Sequence, residues 1–145
     1  AIQAQVLNLM LRLQRDYRLT CLFISHDLGV VRHMCDEVAV MYLGRIVEQA
    51  PRDALFAQPL HPYTQALWSA APSFDPGARS RAQRIRLQGD PPSPHDVPPG
   101  CRFAGRCPLA QDRCRREEPE LRSAGNGHLV ACHRVADDGR TLYPG

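Results

Sequence analysis

An apolar run at residues 19–24, which ends abruptly in Ser25-His26-Asp27, constrains the fold of this chain more than any other stretch. Near-continuous apolar character is typical of a parallel strand that is covered on both faces. The amphipathic residues 28–34 follow at once, so the pattern predicts a buried strand, a tight turn and a helix capped by Asp27. Because ligands bind at the carboxyl ends of strands in open α/β sheets, His26 is a candidate functional residue.

The segments on either side continue this pattern. Apolar residues recur at helical spacing through residues 2–15, which predicts an amphipathic helix with one buried stripe. Residues 38–48 predict a β-hairpin with a tight Leu-Gly turn. Short helices are predicted at residues 51–56 and 63–70. The predicted fold class is therefore α/β.

The composition changes at about residue 72, where a stretch rich in Pro, Arg, Ser and Gly begins. Its repeated prolines forbid regular helix, so it predicts a linker. The predicted organisation is a main domain with the start of an extension at residues 1–71 and a linker at residues 72–100. A compact cysteine-bearing segment follows at residues 101–134, and residues 135–145 are predicted to form a loose tail.

Charge and composition argue against several classes of function. The net charge is only +3 and the two signs are mixed along the chain, so no nucleic-acid partner is predicted. All of the basic residues are Arg, so the chain holds neither a phosphate-loop lysine nor a Schiff-base lysine. The sequence shows neither a signal peptide nor a membrane span, and nothing marks it as exported.

Four cysteines lie close together towards the end of the chain: Cys101, Cys107, Cys114 and Cys132. A segment this small with little apolar content cannot bury enough surface to hold itself, so a covalent or metal staple is expected. Four thiolates suit a [4Fe–4S] cluster or a four-cysteine zinc site, and free thiols or disulfides are a third possibility. The spacing lacks the C-x2-C pairs of zinc ribbons, which weighs against zinc.

Several arginines flank these cysteines, namely Arg102, Arg106, Arg113, Arg115 and Arg116. They would offset the negative charge of a four-thiolate cluster, or equally form a solvated face. His128 and His133 lie nearby, but four cysteines already complete a metal site, so neither histidine is included in the predicted ligand set.

Several segments together resemble a known family. Residues 22–28, LFISHDL, resemble the switch-histidine segment of ABC-transporter ATPases, and residues 35–48 resemble the hairpin that follows it. Residues 60–67, LHPYTQAL, narrow the resemblance to the ATP-binding subunits of oligopeptide and dipeptide importers. Four further motifs are similar to the C-terminal extension of those subunits: GDPPSP at 89–94, GCRF at 100–103, RCP at 106–108 and HLVACH at 128–133.

The resemblance implies a fold and two sites. The fold would be the C-terminal part of a P-loop ABC ATPase core, followed by a small cysteine-bearing, Pro-rich extension. His26 would contact the γ-phosphate of ATP and help to position the attacking water. The four cysteines would hold a [4Fe–4S] cluster.

The chain lacks three motifs of that family: the GxxxxGK[ST] phosphate loop, the LSGGQ-type signature and the Walker B carboxylates. The resemblance therefore implies a C-terminal fragment, with most contacts to ATP and Mg²⁺ supplied by residues upstream. Such a fragment is not expected to hydrolyse ATP alone.

The resemblance also implies partners and a location. These are a second ATPase subunit, identical or different, two transmembrane permease subunits and, indirectly, an extracytoplasmic solute-binding protein. The subunit would lie at the cytoplasmic face of the plasma membrane and power the import of peptides or related solutes. The alternative hypothesis is a binding module stapled by zinc or an iron–sulfur cluster, with no ATPase role and a dispensable His26.

Overall fold

The computed structural model describes residues 2–71 and 87–141. The chain falls into two compact units, Ala1–Asp36 and Glu37–Gly145. The first part of the predicted linker, residues 72–86, lies outside the described residues, and the predicted domain boundaries stay a prediction. Within the described part of the chain, no helix is both long enough and apolar enough to cross a membrane.

The first unit contains two helices, α1 at Ile2–Tyr17 and α2 at Leu28–Met34. Both were predicted by the apolar periodicity. The Asp27 carboxylate accepts hydrogen bonds from the backbone N–H groups of Gly29 and Val30, at 2.9 and 3.2 Å. Asp27 therefore caps α2 as predicted, because it satisfies two amides that have no partner within the helix.

The predicted buried strand at residues 19–24 is wrong. No strand is formed there, and the side chains of Leu22 and Ile24 are 92% and 89% exposed. The buried stripe predicted for α1 is also wrong, since α1 has no buried residue. A strand needs a neighbouring backbone to satisfy its amides and carbonyls, and no strand among the described residues pairs with this segment.

The second unit is built on a four-stranded antiparallel sheet. Its strands are β1 at Glu37–Tyr42, β2 at Arg45–Pro51, β3 at Arg122–Ser123 and β4 at Leu129–Val130, in the order β1-β2-β4-β3. Because β4 pairs with β2, the cysteine-bearing segment completes the sheet that the hairpin begins. The described chain is thus α/β with a small antiparallel sheet.

The hairpin turns at Leu43 and Gly44, as predicted. Both residues have positive φ angles, 46° and 78°, which is the backbone conformation of a type I′ turn. The Arg102 guanidinium donates a hydrogen bond to the Leu43 carbonyl. The start of the cysteine-bearing segment is therefore tied to the tip of the hairpin.

A β-bulge interrupts the hairpin. Val40 lies opposite Glu48, whereas the next residue, Met41, lies opposite Ile46, so Val47 is the extra residue in β2. As a result Val47 and Glu48 are both buried, although consecutive residues of a regular strand point to opposite faces. The bulge thus brings a carboxylate into the interior of the unit.

Among the described residues of the second unit, three short helices are formed: α3 at Arg52–Ala57, α4 at Pro62–Ala70 and α5 at Asp112–Arg116. The helices predicted at 51–56 and 63–70 are confirmed as α3 and α4, with bounds that differ by one residue. In α4 the Nδ1 atom of His61 accepts a hydrogen bond from the backbone N–H of Tyr63 at 3.0 Å, so a histidine serves as the helix cap.

The Glu48 carboxylate is completely buried and joins three parts of the second unit. Its two oxygens accept hydrogen bonds from the backbone N–H groups of Leu60 and His61, at 2.7 and 2.9 Å. The Nε2 atom of His128 lies 2.6 Å from Oε1 of Glu48. Strand β2, the chain before α4 and the residue before β4 therefore share one buried carboxylate, whose hydrogen bonds offset the cost of burying it.

Part of the predicted loose tail is packed. Val135 is 1% exposed and forms an isolated β-bridge with Thr141. It belongs to an apolar cluster with Leu60, Ala124, Val130 and Cys132. The chain beyond the last cysteine therefore adds to the core around that cysteine.

Replacing Glu48 with Ala should lower the free energy of unfolding by about 3–5 kcal/mol, because the variant leaves two buried amides and a buried imidazole without their acceptor. Urea unfolding of the 145-residue chain measures the change. The control is Glu37→Ala, which removes an exposed carboxylate that accepts a hydrogen bond from the Gln49 amide and should cost less than about 0.5 kcal/mol. Equal stability of the two variants would contradict the assigned role of Glu48.

Candidate functional site

The four predicted cysteines line one pocket of the second unit. Cys114 and Cys132 are buried, whereas Cys101 and Cys107 are half-buried. All four are free thiols. The structure therefore brings together in one pocket the residues that the sequence analysis selected.

A close backbone approach holds Cys101 beside Cys114. The Cys101 N–H donates a hydrogen bond to the Cys114 carbonyl at 2.7 Å. A Cβ atom at Gly100 would collide with that carbonyl oxygen and with the backbone of Arg115. Only glycine fits at this position, because its hydrogen leaves room for the end of α5.

Apolar and aromatic side chains form part of the pocket wall, together with His61, His133 and Arg134. Phe103 is 1% exposed, and its ring centroid lies 5.3 Å from that of Tyr42 and 5.4 Å from that of Tyr63. The imidazole of His61 also lines the pocket, and burial lowers its pKa to about 4 although the Glu48 carboxylate acts in the opposite direction. His61 is therefore neutral near pH 7.

The pocket disfavours thiolates in the absence of a positive charge. Burial raises the pKa of Cys101 and of Cys107, and it raises the pKa of Cys132 to about 12. Neighbouring cysteines raise all three values further, whereas backbone N–H groups lower them. One of these is the N–H of Arg134, which lies 3.4 Å from Sγ of Cys132. A metal that binds here would have to displace protons.

The four thiols line the same pocket, but they are not arranged as a set of metal ligands. Within the part of the chain that the structure describes, no three His, Cys, Asp or Glu side chains are placed to hold a metal ion. The predicted [4Fe–4S] cluster and its zinc alternative therefore stay predictions.

His26 lies in the first unit, exposed in the turn before α2. The Ser25 hydroxyl accepts a hydrogen bond from the Asp27 N–H at 3.0 Å, so both neighbours of His26 are held by the turn. The strand that was predicted to present this imidazole is not formed. The role predicted for His26 stays a prediction.

The sequence analysis missed Arg134 as a residue of the cysteine pocket. It lies beyond the last cysteine, whereas the arginines named from the sequence lie at positions 102–116. A usable signal was its spacing from Cys132, since a backbone N–H two residues after a cysteine can reach the sulfur.

Residues 47–114 match the family model of the oligopeptide/dipeptide transporter, C-terminal region. These residues are therefore similar to the C-terminal region of that transporter family. The resemblance to ATP-binding subunits of oligopeptide and dipeptide importers is therefore confirmed. The matched range runs from the middle of β2 to Cys114, and so includes three of the four cysteines.

Curated relatives agree with this assignment. The chain is 57% identical over 133 residues to a probable peptide ABC transporter ATP-binding protein of Sinorhizobium fredii, in a match that covers 92% of this chain and 37% of the relative. It is 53% identical over 135 residues to a di/tripeptide transport ATP-binding protein of Pseudomonas aeruginosa, with coverage of 93% and 41%. An oligopeptide transport ATP-binding protein of Bacillus subtilis is 50% identical over 133 residues, with coverage of 92% and 40%.

These matches span well under half the length of each of those three relatives, since the shares are 37%, 40% and 41%. The names of the relatives describe whole proteins that are longer than this chain. The activity, substrates and partners of a whole protein are therefore inferred separately below.

Replacing Gly100 with Ala should lower the free energy of unfolding by about 1–3 kcal/mol, because the methyl group forces the Cys101 backbone away from α5. The matched control is Gly105→Ala, where an added Cβ meets nothing within 4 Å and should change stability by less than about 0.5 kcal/mol. Urea unfolding of both variants measures the difference. A Gly100→Ala chain as stable as the control would contradict the close approach.

Proposed function

We propose that this chain is the C-terminal part of an ATP-hydrolysing subunit that powers the import of peptides or related solutes across the cytoplasmic membrane. The observation that carries the proposal is the identity of 50–57% to proteins named as peptide, oligopeptide or di/tripeptide ATP-binding proteins, over more than nine tenths of the chain. The match to a region described as C-terminal in that transporter family supports the placement within the subunit.

The proposal includes the partners of the complete subunit. A second ATPase subunit, identical or different, faces the complete subunit across the ATP sites. ATP hydrolysis by the two subunits powers transport through two transmembrane permease subunits. An extracytoplasmic solute-binding protein delivers the cargo. The subunit is peripheral at the cytoplasmic face of the membrane and binds ATP with Mg²⁺, mostly through residues that precede this chain.

The first unit supports a place in such a nucleotide-binding core. Leu22 and Ile24 are almost fully exposed, and the apolar stripe of α1 is exposed beside them in sequence. Large exposed apolar patches are rare on soluble proteins and mark surfaces that another segment covers. In the complete subunit, neighbouring strands and helices of the ATPase core would pair with residues 19–24 and cover α1.

His26 is proposed as the residue that contacts the γ-phosphate of ATP and positions the attacking water. A neutral imidazole has one donor and one acceptor, so it can bind a phosphate oxygen and a water at once. The capped start of α2 and the Ser25 hydrogen bond hold the backbone on either side of it. Restoring a partner strand to residues 19–24 would place this turn at the end of a buried strand, where ligands bind.

In the complete subunit, His26→Ala should lower the ATPase rate by about 100-fold or more, because the water loses the group that orients it. Binding of ATP should persist, since the phosphate loop is unchanged. The matched control is His33→Ala, which removes another exposed imidazole a few residues away on α2 and should leave the rate unchanged. Normal hydrolysis by the His26 variant would contradict the proposed role and favour a binding module without ATPase function.

The pocket of the second unit is proposed to hold a [4Fe–4S] cluster through Cys101, Cys107, Cys114 and Cys132. The four thiols share one pocket, and burial raises the pKa of Cys101, Cys107 and Cys132, so their ionisation is unfavourable unless a cation binds there. A backbone N–H directed at Cys132 Sγ suits a thiolate acceptor. When bound, the cluster supplies a staple between these loops and a redox-active centre.

We favour a cluster over a single zinc ion because the cysteine spacing lacks the C-x2-C pairs of zinc ribbons. Among the described residues, no three His, Cys, Asp or Glu side chains are placed to hold a metal ion, so either group would require the thiols to converge.

Anaerobic purification of the 145-residue chain should give bound iron and sulfide with broad visible absorbance. Cys107→Ser and Cys114→Ser should each lose most of the iron, because each removes one of four ligands. Cys21→Ser is the matched control, since this thiol is exposed and lies in the first unit. Zinc without iron would contradict the cluster and support the alternative, and a chain without metal would contradict both.

A further inference from the structure

Arg106 differs in its surroundings from the arginines near it in the sequence. Arg102 lies 3.7 Å from a carboxylate oxygen of Glu118. Arg113 lies 2.9 Å from a carboxylate oxygen of Glu117. Arg106 is half-buried, and among the described residues no carboxylate forms an ion pair with it. Its Nε atom is buried and has no hydrogen-bond partner there. Burying a charged donor without an acceptor is unfavourable, so a group that accepts from Arg106 would be bound favourably.

Three aromatic rings pack together where Arg106 is anchored. The Arg106 N–H donates a hydrogen bond to the Phe103 carbonyl at 3.0 Å. The ring centroid of Phe103 lies 5.3 Å from that of Tyr42 and 5.4 Å from that of Tyr63, and the two tyrosine centroids lie 4.7 Å apart. Tyr42 is 6% exposed, and its hydroxyl is buried without a hydrogen-bond partner among the described residues. A second polar group without a partner therefore lies in the same cluster.

The charge of Arg106 acts on this aromatic cluster. Burial raises the pKa of Tyr63 and the neighbouring Tyr42 raises it further, whereas the Arg106 guanidinium lowers it. The guanidinium therefore lies within electrostatic reach of the Tyr63 hydroxyl. Although Arg106 precedes Cys107 in the sequence, it is not among the described residues that line the cysteine pocket. The structure thus places this charge beside two tyrosines.

We propose that Arg106, Tyr42 and Tyr63 form a binding site for a carboxylate group. The guanidinium presents its N–H donors in a planar fork that matches the two oxygens of a carboxylate. Each phenol hydroxyl can donate one further hydrogen bond. Arg106 and Tyr63 are half-buried, so a carboxylate can reach them from solvent, and Tyr42 is the buried end of the site. The inference goes beyond the proposed function and needs neither the ATPase role nor the cluster.

The charge of the site favours a carboxylate over a phosphate. One guanidinium balances the single negative charge of a carboxylate, whereas a phosphate group carries nearly two negative charges near pH 7. The second charge would stay unbalanced beside the buried ring of Phe103, which is unfavourable. Two sources present a carboxylate: a free small acid and an acidic side chain of a protein partner.

The test is an NMR titration of the isotope-labelled 145-residue chain, which follows the side-chain signals of Arg106 and Tyr63. Acetate and N-acetylaspartate amide represent the two sources, and at least one of them should shift these signals until the site is saturated. N-acetylasparagine amide is the matched uncharged probe and should shift neither signal. Inorganic phosphate should bind more weakly than the better carboxylate.

Four variants locate the site. Arg106→Met should weaken carboxylate binding by at least about tenfold, because charge-assisted hydrogen bonds are lost. Tyr42→Phe and Tyr63→Phe keep the rings but remove one hydroxyl each, so each should weaken binding by about twofold to tenfold. Arg116→Met is the control, since it removes an exposed arginine of α5 and should leave the affinity unchanged.

The outcomes separate the possibilities. Tighter binding of the aspartate compound identifies an acidic side chain as the source, and tighter binding of acetate identifies a small acid; both support the site. No saturable binding of either compound, tighter binding of phosphate, or wild-type affinity in Arg106→Met overturns the inference. If Arg106→Met does not fold, Arg106→Lys replaces it, because it keeps the charge but lacks the planar fork. Wild-type affinity in that variant and in both phenylalanine variants also overturns the inference.

Discussion

The buried carboxylate of Glu48 is the interaction on which the second unit depends. An isolated buried charge is unfavourable by several kcal/mol, so this residue can be buried only if its partners are in place. Those partners come from the chain before α4, through Leu60 and His61, and from the residue before β4, His128. The hairpin, α4 and the cysteine-bearing segment must therefore fold together. If the chain before α4 or the residue before β4 moved away, the buried carboxylate would lose at least one of its hydrogen bonds.

The cysteine pocket is a consequence of that arrangement. Cys132 follows β4, and the Ala131 N–H donates to the Val47 carbonyl at 2.8 Å, next to Glu48 in β2. On the other side, the absence of a side chain at Gly100 lets Cys101 bind the backbone of α5. Two backbone contacts thus hold Cys101 and Cys132, from the two ends of the cysteine-bearing segment, at one pocket. The pocket that is proposed to bind a metal cluster is therefore held by backbone hydrogen bonds within the chain.

Sequence patterns correctly predicted the features that depend on neighbouring residues in the chain. Periodicity predicted α1, α2 and α4, the Leu-Gly pair predicted the hairpin turn, and cysteine spacing selected the four pocket thiols. The prediction of a buried strand at 19–24 was wrong because a strand needs partner strands from other parts of a chain. An apolar run in the sequence does not show whether such partners are present. The burial of Glu48 was missed because the extra residue in β2 turns its side chain to the buried face of the sheet. The alternation of apolar and polar residues in the sequence does not reveal this bulge. His128 was set aside as a spare ligand, although its partner is that carboxylate.

Residue-resolved amide hydrogen exchange of the 145-residue chain tests the central claim most directly. If Glu48 makes the second unit one cooperative structure, the amides of Leu60, His61 and Ala131 should open with the same free energy, equal to that of global unfolding. Leu60 and His61 lie in the segment before α4 and Ala131 follows β4, so the measurement compares two segments that the Glu48 carboxylate connects. Exchange of the Ala131 amide many times faster than that of Leu60 and His61 would show that the cysteine-bearing segment opens on its own, and would contradict the account.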